Sequence, residues 1–302
     1  MKKKTLILGG VLIILLALIY VYQKPLKEWQ RTLGLNNNFL ARVDVSEVDG
    51  LEIIKNGQTV NINRQEDRWK VAGTKDFYVS TALAADLVDQ LESMDEASLE
   101  LVSTNADNKN EFGLSEGVRV KIYEDGKLAT DFIVGKTASD FTSSYVARAD
   151  DVNTYLVDLN LNSVFNRDEW RDNVIFNIDT QDINKIRMQY PNREFTLEKK
   201  DDTWQGTKPY QFSVDKEKME SVVAIMSDLT AVEIPKQDFT GTGLEKNLII
   251  IQAEGEGINH TLMIGEANDN GDYYVKRADS DNIYLITSEE RDTLNKFIWQ
   301  LQ

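Results

Sequence analysis

The chain has 302 residues, of which 50 are acidic and 34 basic, for a formal net charge of −16, and it has no cysteine. That balance argues against a nucleic-acid partner, which would need clustered Lys and Arg against phosphates. The missing cysteine excludes disulfides, thiol catalysis, Cys-based zinc sites and a lipidated N-terminal cysteine.

Lys2, Lys3 and Lys4 precede an uncharged, almost wholly apolar run from Thr5 to Gln23. About 20 apolar residues are needed to cross roughly 30 Å of hydrocarbon. The run ends Leu18-Ile-Tyr-Val-Tyr22, without the small residues of a cleavage site. Residues 1–24 are therefore expected to be an uncleaved transmembrane signal anchor. The leading lysines predict a cytoplasmic N-terminus, with residues 25–302 outside the plasma membrane. Residues 25–42 are expected to be a juxtamembrane linker.

The remainder is written twice. Tyr145-Val-Ala-Arg-Ala-Asp returns as Tyr274-Val-Lys-Arg-Ala-Asp. Val48-Asp-Gly-Leu-Glu-Ile53 aligns with Ile183-Asn-Lys-Ile-Arg-Met188, Trp69 with Trp204, Gly113-Leu114 with Gly243-Leu244, Val134-Gly135 with Ile264-Gly265, and Trp170 with Trp299. Two tandem repeats follow, expected at 43–172 and 173–302.

In the first repeat, strands are expected at Val43–Val45, Gly50–Lys55, Thr59–Asn63 and Arg68–Val71, with Asn56-Gly57 as a two-residue hairpin turn. A helix follows. Ser80 can cap it, and Leu83, Leu87, Leu91 and Met94 share one face. Four more strands are expected at Val118–Tyr123, Ala129–Val134, Ser144–Arg148 and Thr154–Val157, then a short helix near Leu159–Asn166. Asp125-Gly126 is a second hairpin turn.

The second repeat uses Tyr190-Pro191-Asn192 where the first has Asn-Gly. Its helix starts from Asp215 and aligns Met219, Val222, Val223, Met226 and Leu229. Its later strands are expected at Asn247–Gln252, Thr261–Ile264, Tyr273–Arg277 and Ile283–Ile286, before a terminal helix over Ser288–Trp299. Meandering strands around one helix predict an α+β fold, each repeat a mainly antiparallel sheet with one packed helix.

The search for chemistry is short. Val134-Gly135-Lys136-Thr137 resembles the end of a phosphate loop, but Thr130 stands where its first glycine belongs, and a hairpin turn is expected instead. Glu266-Ala-Asn-Asp-Asn-Gly-Asp272 has a calcium-loop flavour without the closing Glu, since Arg277 occupies that position, and is expected to be a polar hairpin tip. His260 is the single histidine, at a strand start opposite Thr130 of the other repeat, which nearly closes off triads and histidine metal sites. Asp150/Asp151 and Asp279/Asp281 recur beside Arg148 and Arg277, as expected of Arg and Asp bracing a tight turn. Trp69, Trp204, Trp170 and Trp299 are expected in packing. No catalytic, cofactor or metal residue emerges. The candidates for interaction or for a repeat signature are Trp69, Trp204, Tyr145, Arg148, Tyr155, Tyr274, Arg277 and Tyr284.

The ordered set Asp67-Arg-Trp-Lys-Val71, Glu111-Phe-Gly-Leu114, Ile133-Val-Gly-Lys136 and Tyr145-Val-Ala-Arg148, behind a Lys-rich anchor, resembles the bacterial envelope family catalogued as domain of unknown function 4340. The similarity runs from about Val43 to the C-terminus, in two copies. It implies a single-pass envelope protein, often associated with ABC-type export systems, and it carries over no catalytic residues. The expected function is thus a membrane-anchored, non-catalytic extracytoplasmic accessory or interaction protein, attached to an ABC-type transport system or another envelope complex. The alternative is an envelope glycan- or ligand-binding module, with Tyr145/Tyr274 and Tyr155/Tyr284 as exposed contacts. A carboxylate-based extracytoplasmic hydrolase ranks third.

Overall fold

Two-residue turns set the register of the strands. In the computed structural model, which describes residues 38–40, 43–73, 75–201, 203–246 and 249–302, Asn56 and Gly57 have φ of 51° and 74°, and Asp125 and Gly126 have 49° and 71°. Consecutive positive φ values match the right-handed twist of the strands they join. The first turn pairs β1 (Val48–Lys55) with β2 (Gln58–Gln65), and the second pairs β5 (Val118–Glu124) with β6 (Lys127–Thr137). Tyr190 and Arg193 pair directly across Pro191-Asn192, closing β10 (Ile183–Tyr190) on β11 (Arg193–Lys200).

The remaining elements of the first repeat are β3 (Arg68–Val71), α1 (Thr81–Glu96), β4 (Leu99–Ser103), β7 (Ser144–Arg148), β8 (Thr154–Val157) and α2 (Leu161–Phe165). Those of the second are β9 (Val174–Asn177), β12 (Thr203–Lys208), β13 (Phe212–Ser213), α3 (Lys216–Ser227), β14 (Asp228–Thr230), β15 (Ile249–Gly255), β16 (Ile258–Ala267), β17 (Tyr273–Arg277), β18 (Tyr284–Ile286), α4 (Ser288–Leu294) and α5 (Ile298–Leu301).

The chain divides into two compact units. One runs to Asp67 and resumes over Ala82–Asp168; the other is Arg68–Thr81 with Glu169–Gln302. In the first, seven strands run in the order β2-β1-β5-β6-β7-β8-β4. In the second, eight run β13-β12-β11-β10-β15-β16-β17-β18, with a separate β14-β9 pair. The pairings are antiparallel, so the fold is α+β and the internal repeat is a repeat of structure.

Period-two patterning decides which face is buried. Val118, Val120 and Ile122 of β5 are buried, as are Ile249, Ile251 and Ala253 of β15. In β5 the intervening positions, Arg119 and Lys121, carry charge. Lys121 bonds Glu52 across β5–β1 at 2.8 Å, Arg119 grips Asp131 at 2.8 and 2.6 Å, and Lys185 bonds Glu254 at 2.8 Å. Of the stripe expected in α1, Leu87, Leu91 and Met94 are buried and Leu83 is half-buried, and in α3 Met219, Val222, Val223 and Met226 are buried. Asp215 caps α3 by accepting from the Lys218 N–H at 3.0 Å. Leu229 is buried as expected, but in β14 beyond the end of the helix.

Several expectations are corrected. Val43–Val45 is not a strand, because Asp44 turns the chain by accepting from the Ser46 N–H and hydroxyl. Asn38, Phe39 and Leu40, assigned to the linker, are buried: Asn38 donates to the Met94 and Ala97 carbonyls, and the Thr130 hydroxyl donates to the Phe39 carbonyl. In the second copy Asn173, at the matching offset, likewise donates to a carbonyl beyond the helix, that of Ala231. Val134–Thr137 is no turn but the end of β6, with a register shift against β7. The Arg68–Thr81 segment of the first repeat belongs to the second compact unit. There Asn282 and Asp76 exchange bonds through the Asp76 backbone at 3.2 and 3.0 Å, and Phe77 meets Tyr284 edge-on at 5.7 Å. Among the described residues no helix is long and apolar enough to cross a membrane. The expected anchor, residues 1–24, lies outside the described residues, as does the linker apart from residues 38–40.

Candidate interaction site

The repeated glycines are explained by close backbone approach. Gly113 and Gly243 both have φ of 71°. The loop carrying each docks on a strand glycine of the same unit. Lys136 donates its N–H to the Phe112 carbonyl at 3.0 Å, and Glu266 donates to the Thr242 carbonyl at 2.8 Å. A Cβ on Gly135 would stand 2.3 Å from that Phe112 oxygen, and one on Gly265 would stand 2.1 Å from the Thr242 oxygen. Leu114 and Leu244, the next residues, are buried beneath. This motif is structural in both copies.

The second repeated motif builds a cleft. In the first unit a cavity of about 310 Å³ is lined by Arg119, Leu128, Thr130, Asp131, Arg148 and Asp150. Arg148 leaves the end of β7 and meets Asp150 at 3.6 Å. In the second unit a cavity of about 400 Å³ includes Arg68, Asp76, Tyr78, Asp172, Arg277 and Asp279. Arg277, at the end of β17, grips Asp279 through two bonds of 2.8 and 2.5 Å and donates to the Ile175 carbonyl. The Arg277 guanidinium beside Asp279 holds that carboxyl below the usual range against the opposing effect of burial. The expected brace of a tight turn is what the geometry contains.

His260 stacks on Phe176 with ring centroids 4.5 Å apart and planes 11° apart. Burial, then the nearby Arg277 charge, push its pKa down, so it is held neutral in a packed position. In the other repeat Thr130 takes this place. The Glu266–Asp272 loop is a hairpin tip closed by Asn268, whose side chain accepts from the Asn270 and Asp272 N–H groups. Among the described residues no group of three or more His, Cys, Asp or Glu side chains could hold a metal ion.

Every carboxyl with a resolved shift is shifted down: Glu52, Asp140, Glu169, Glu194, Asp238, Asp279 and Asp281. Hydrogen bonds from Lys, Arg, hydroxyl or backbone donors favour the charged form in each. A general acid at neutral pH needs the opposite, a carboxyl held protonated by an apolar site.

The aromatic candidates scatter. Trp69 is buried and Trp204 half-buried. Half-buried Tyr145 rests 4.7 Å from Phe112. Tyr155 meets Phe39 edge-on at 5.7 Å, and Tyr274 is half-buried in β17. Tyr284 is 6% exposed, and burial raises its pKa. It cannot be the exposed contact expected of it, because its ring fills the space against Phe77. The tryptophan pairing also fails in one copy: Trp170 is 2% exposed, whereas Trp299 is 69% exposed and stacks on Phe297. Sequence reasoning missed Arg68, whose guanidinium lies 3.5 Å over the Tyr78 ring, and the bridging Asn282. Arg68 stands within the Asp67–Val71 motif, but nothing in that motif announces its stacking on Tyr78, and Asn282 depends on Asp76, which is 206 residues away.

The fold and the duplicated glycine and Arg–Asp motifs define a two-copy antiparallel α+β protein. The chain belongs to the family described as domain of unknown function 4340, whose model matches residues 69–247 and again 204–299. No curated protein and no solved structure matches it.

Proposed function

We propose that this protein is a membrane-anchored, non-catalytic extracytoplasmic interaction module, attached to an ABC-type transport system or another envelope complex. The observation that carries this reading is that within each copy the repeated Arg and Asp side chains pair with one another. Arg277 is bound by Asp279, Arg148 faces Asp150, and the shifted carboxyls are held ionised. Such pairs brace a scaffold, and a carboxyl whose pKa is held down, as in Asp279, is not poised as a general acid. The apolar N-terminal run supports the anchor, and the resemblance to envelope proteins supports the transporter neighbourhood.

The test is a gentle-detergent pull-down of the full-length protein from its own cells, with residues 38–302 as control. Recovery of transporter subunits that depends on the N-terminal run is the expected result. No subunit in either form would sink the transporter part of the reading.

One observation favours the glycan alternative. Exposed Trp299 borders a cavity of about 400 Å³ shared with Lys218, Ser221, Thr293, Lys296 and Gln300. An open indole beside hydroxyl, amide and ammonium groups suits a sugar ring. A glycan panel that protects Trp299 from quenching would move the protein into that class.

A further inference from the structure

Both copies place a segment after the helix beside the last strand of the sheet, and only one of the two is finished as an edge. In the second copy that segment is Val232–Lys236. Val232 and Glu233 bond Leu285 of β18, then Pro235 removes a donor. Arg171 takes the Ile234 carbonyl at 3.1 Å, and Gln237 takes the Pro235 carbonyl at 2.8 Å. Lys236 follows. Proline, lysine and capped carbonyls are the usual means of keeping a sheet edge from pairing further.

The first copy has β4 in that position, Leu-Glu-Leu-Val-Ser over Leu99–Ser103. It pairs with β8 on one side. Among the described residues, no backbone group of Glu100, Leu101 or Val102 bonds anything on the other side. Leu101 is 53% exposed and Val102 41%. There is no proline and no lysine, and a register irregularity between Leu101 and Ser103 is the one protective device present. A strand edge of this kind is the surface used when an extended peptide adds to a sheet.

The charges around β4 say what kind of strand it accepts. Glu96 precedes it, Glu100 lies in it, Asp158 accepts from the Ser98 N–H, and Asp107 stands in the turn tied to Ser103 through Asn108. None of these four acids is in an ion pair among the described residues. The nearby cation, Lys109, is occupied by the Asp151 carbonyl. A second copy of this chain would bring the same acids and a net charge of −16 against them.

We infer that the free edge of β4 is a docking site for an extended, basic segment of a partner protein, which adds as a further strand along Leu99–Ser103. The inference rests on the interaction-module reading for its biology, though not on the anchor or the transporter.

The experiment adds synthetic peptides to the full-length protein and follows amide exchange. One peptide alternates threonine and valine with a lysine pair at each end. A second has glutamates at the ends, and a third has proline in place of alternate threonines. With the lysine peptide at ten times its Kd, exchange at Glu100–Val102 should slow about tenfold. The proline peptide should do nothing and the glutamate peptide should bind far less. Leu101→Lys, at an exposed site, should abolish the protection while leaving exchange elsewhere unchanged. Val102→Pro, copying the closed edge, is the second variant. Equal protection by the lysine and glutamate peptides would overturn the charge argument. Absence of protection by any peptide would overturn the site. Peptide-free dimers that Leu101→Lys dissolves would show that the occupant is a second copy. None of these outcomes bears on the pull-down, so the two readings fail separately.

Discussion

Replacing Gly265 with alanine tests the argument that the repeated glycines are there for close approach. The added carbon would stand 2.1 Å from the Thr242 oxygen and 3.0 Å from the Leu244 nitrogen. A carbon and a carbonyl oxygen approach no nearer than about 3.3 Å, so the loop must retreat by about 1 Å. Both opposing atoms are backbone, and Thr242 and Leu244 are buried, so no flexible side chain can give way. The retreat stretches the 2.8 Å bond from Glu266 to the Thr242 carbonyl beyond bonding range. Overpacking costs about 1–3 kcal/mol and the lost bond about 1 kcal/mol. The expected destabilisation is therefore about 2–4 kcal/mol.

Tryptophan fluorescence during urea unfolding is the assay, because Trp69, Trp170, Trp204 and Trp299 all lie in the unit that holds Gly265. The Glu266 amide should also exchange faster. Gly57→Ala is the control. Its φ of 74° strains an alanine by about 1–2 kcal/mol, but nothing lies within 4 Å of the new carbon. A Gly265→Ala variant within about 0.5 kcal/mol of the wild type, with its Glu266 amide still protected, would refute the reasoning.

The two copies predict opposite fates for their paired tryptophans. Trp170→Ala should cost about 3–5 kcal/mol in urea unfolding, and Trp299→Ala within about 0.5 kcal/mol, while acrylamide should quench Trp299 and spare Trp170. Asn282→Ala removes both bonds to the Asp76 backbone; about 2–3 kcal/mol should be lost, with the Asp76 amide exchanging faster while β15 and β16 stay protected. Tyr190 donates to the Leu294 carbonyl at 2.8 Å and accepts from the Lys296 N–H, and burial pushes its pKa from 10.0 to about 12. A raised folded value means that its stabilisation is complete below the unfolded pKa and is lost as pH rises through the window from 10 to about 12. Tyr190→Phe should be less stable at neutral pH yet show a shallower alkaline decline in a pH series of melting curves. An unchanged slope would contradict the assignment.

Local chemistry made several elements legible from residues alone. Asn56-Gly57 and Asp125-Gly126 could be read as turns because their conformation is decided within two residues. Leu87, Leu91 and Met94 marked a buried helix face because spacing on one helix is a local property. The duplication was visible because the same contacts, such as Gly135 on Phe112 and Gly265 on Thr242, impose the same residues twice.

What the tertiary structure alone decided lies in pairings across long separations. β4 was missed because Leu99–Ser103 carries no strong alternation, and its strand character comes from β8 more than fifty residues later. Asn38–Leu40 looked like linker until the Met94 and Ala97 carbonyls were found against Asn38. Trp170 and Trp299 occupy equivalent positions in the two copies, yet burial is a property of the neighbours, and only one has them. The same reason explains the edge. The strand pairing, Glu233 with Leu285 and Glu100 with Leu156, puts Pro235 and Lys236 where Val102 and Ser103 stand in the other copy, and that one edge is closed and the other open follows from which carbonyls Arg171 and Gln237 reach in space.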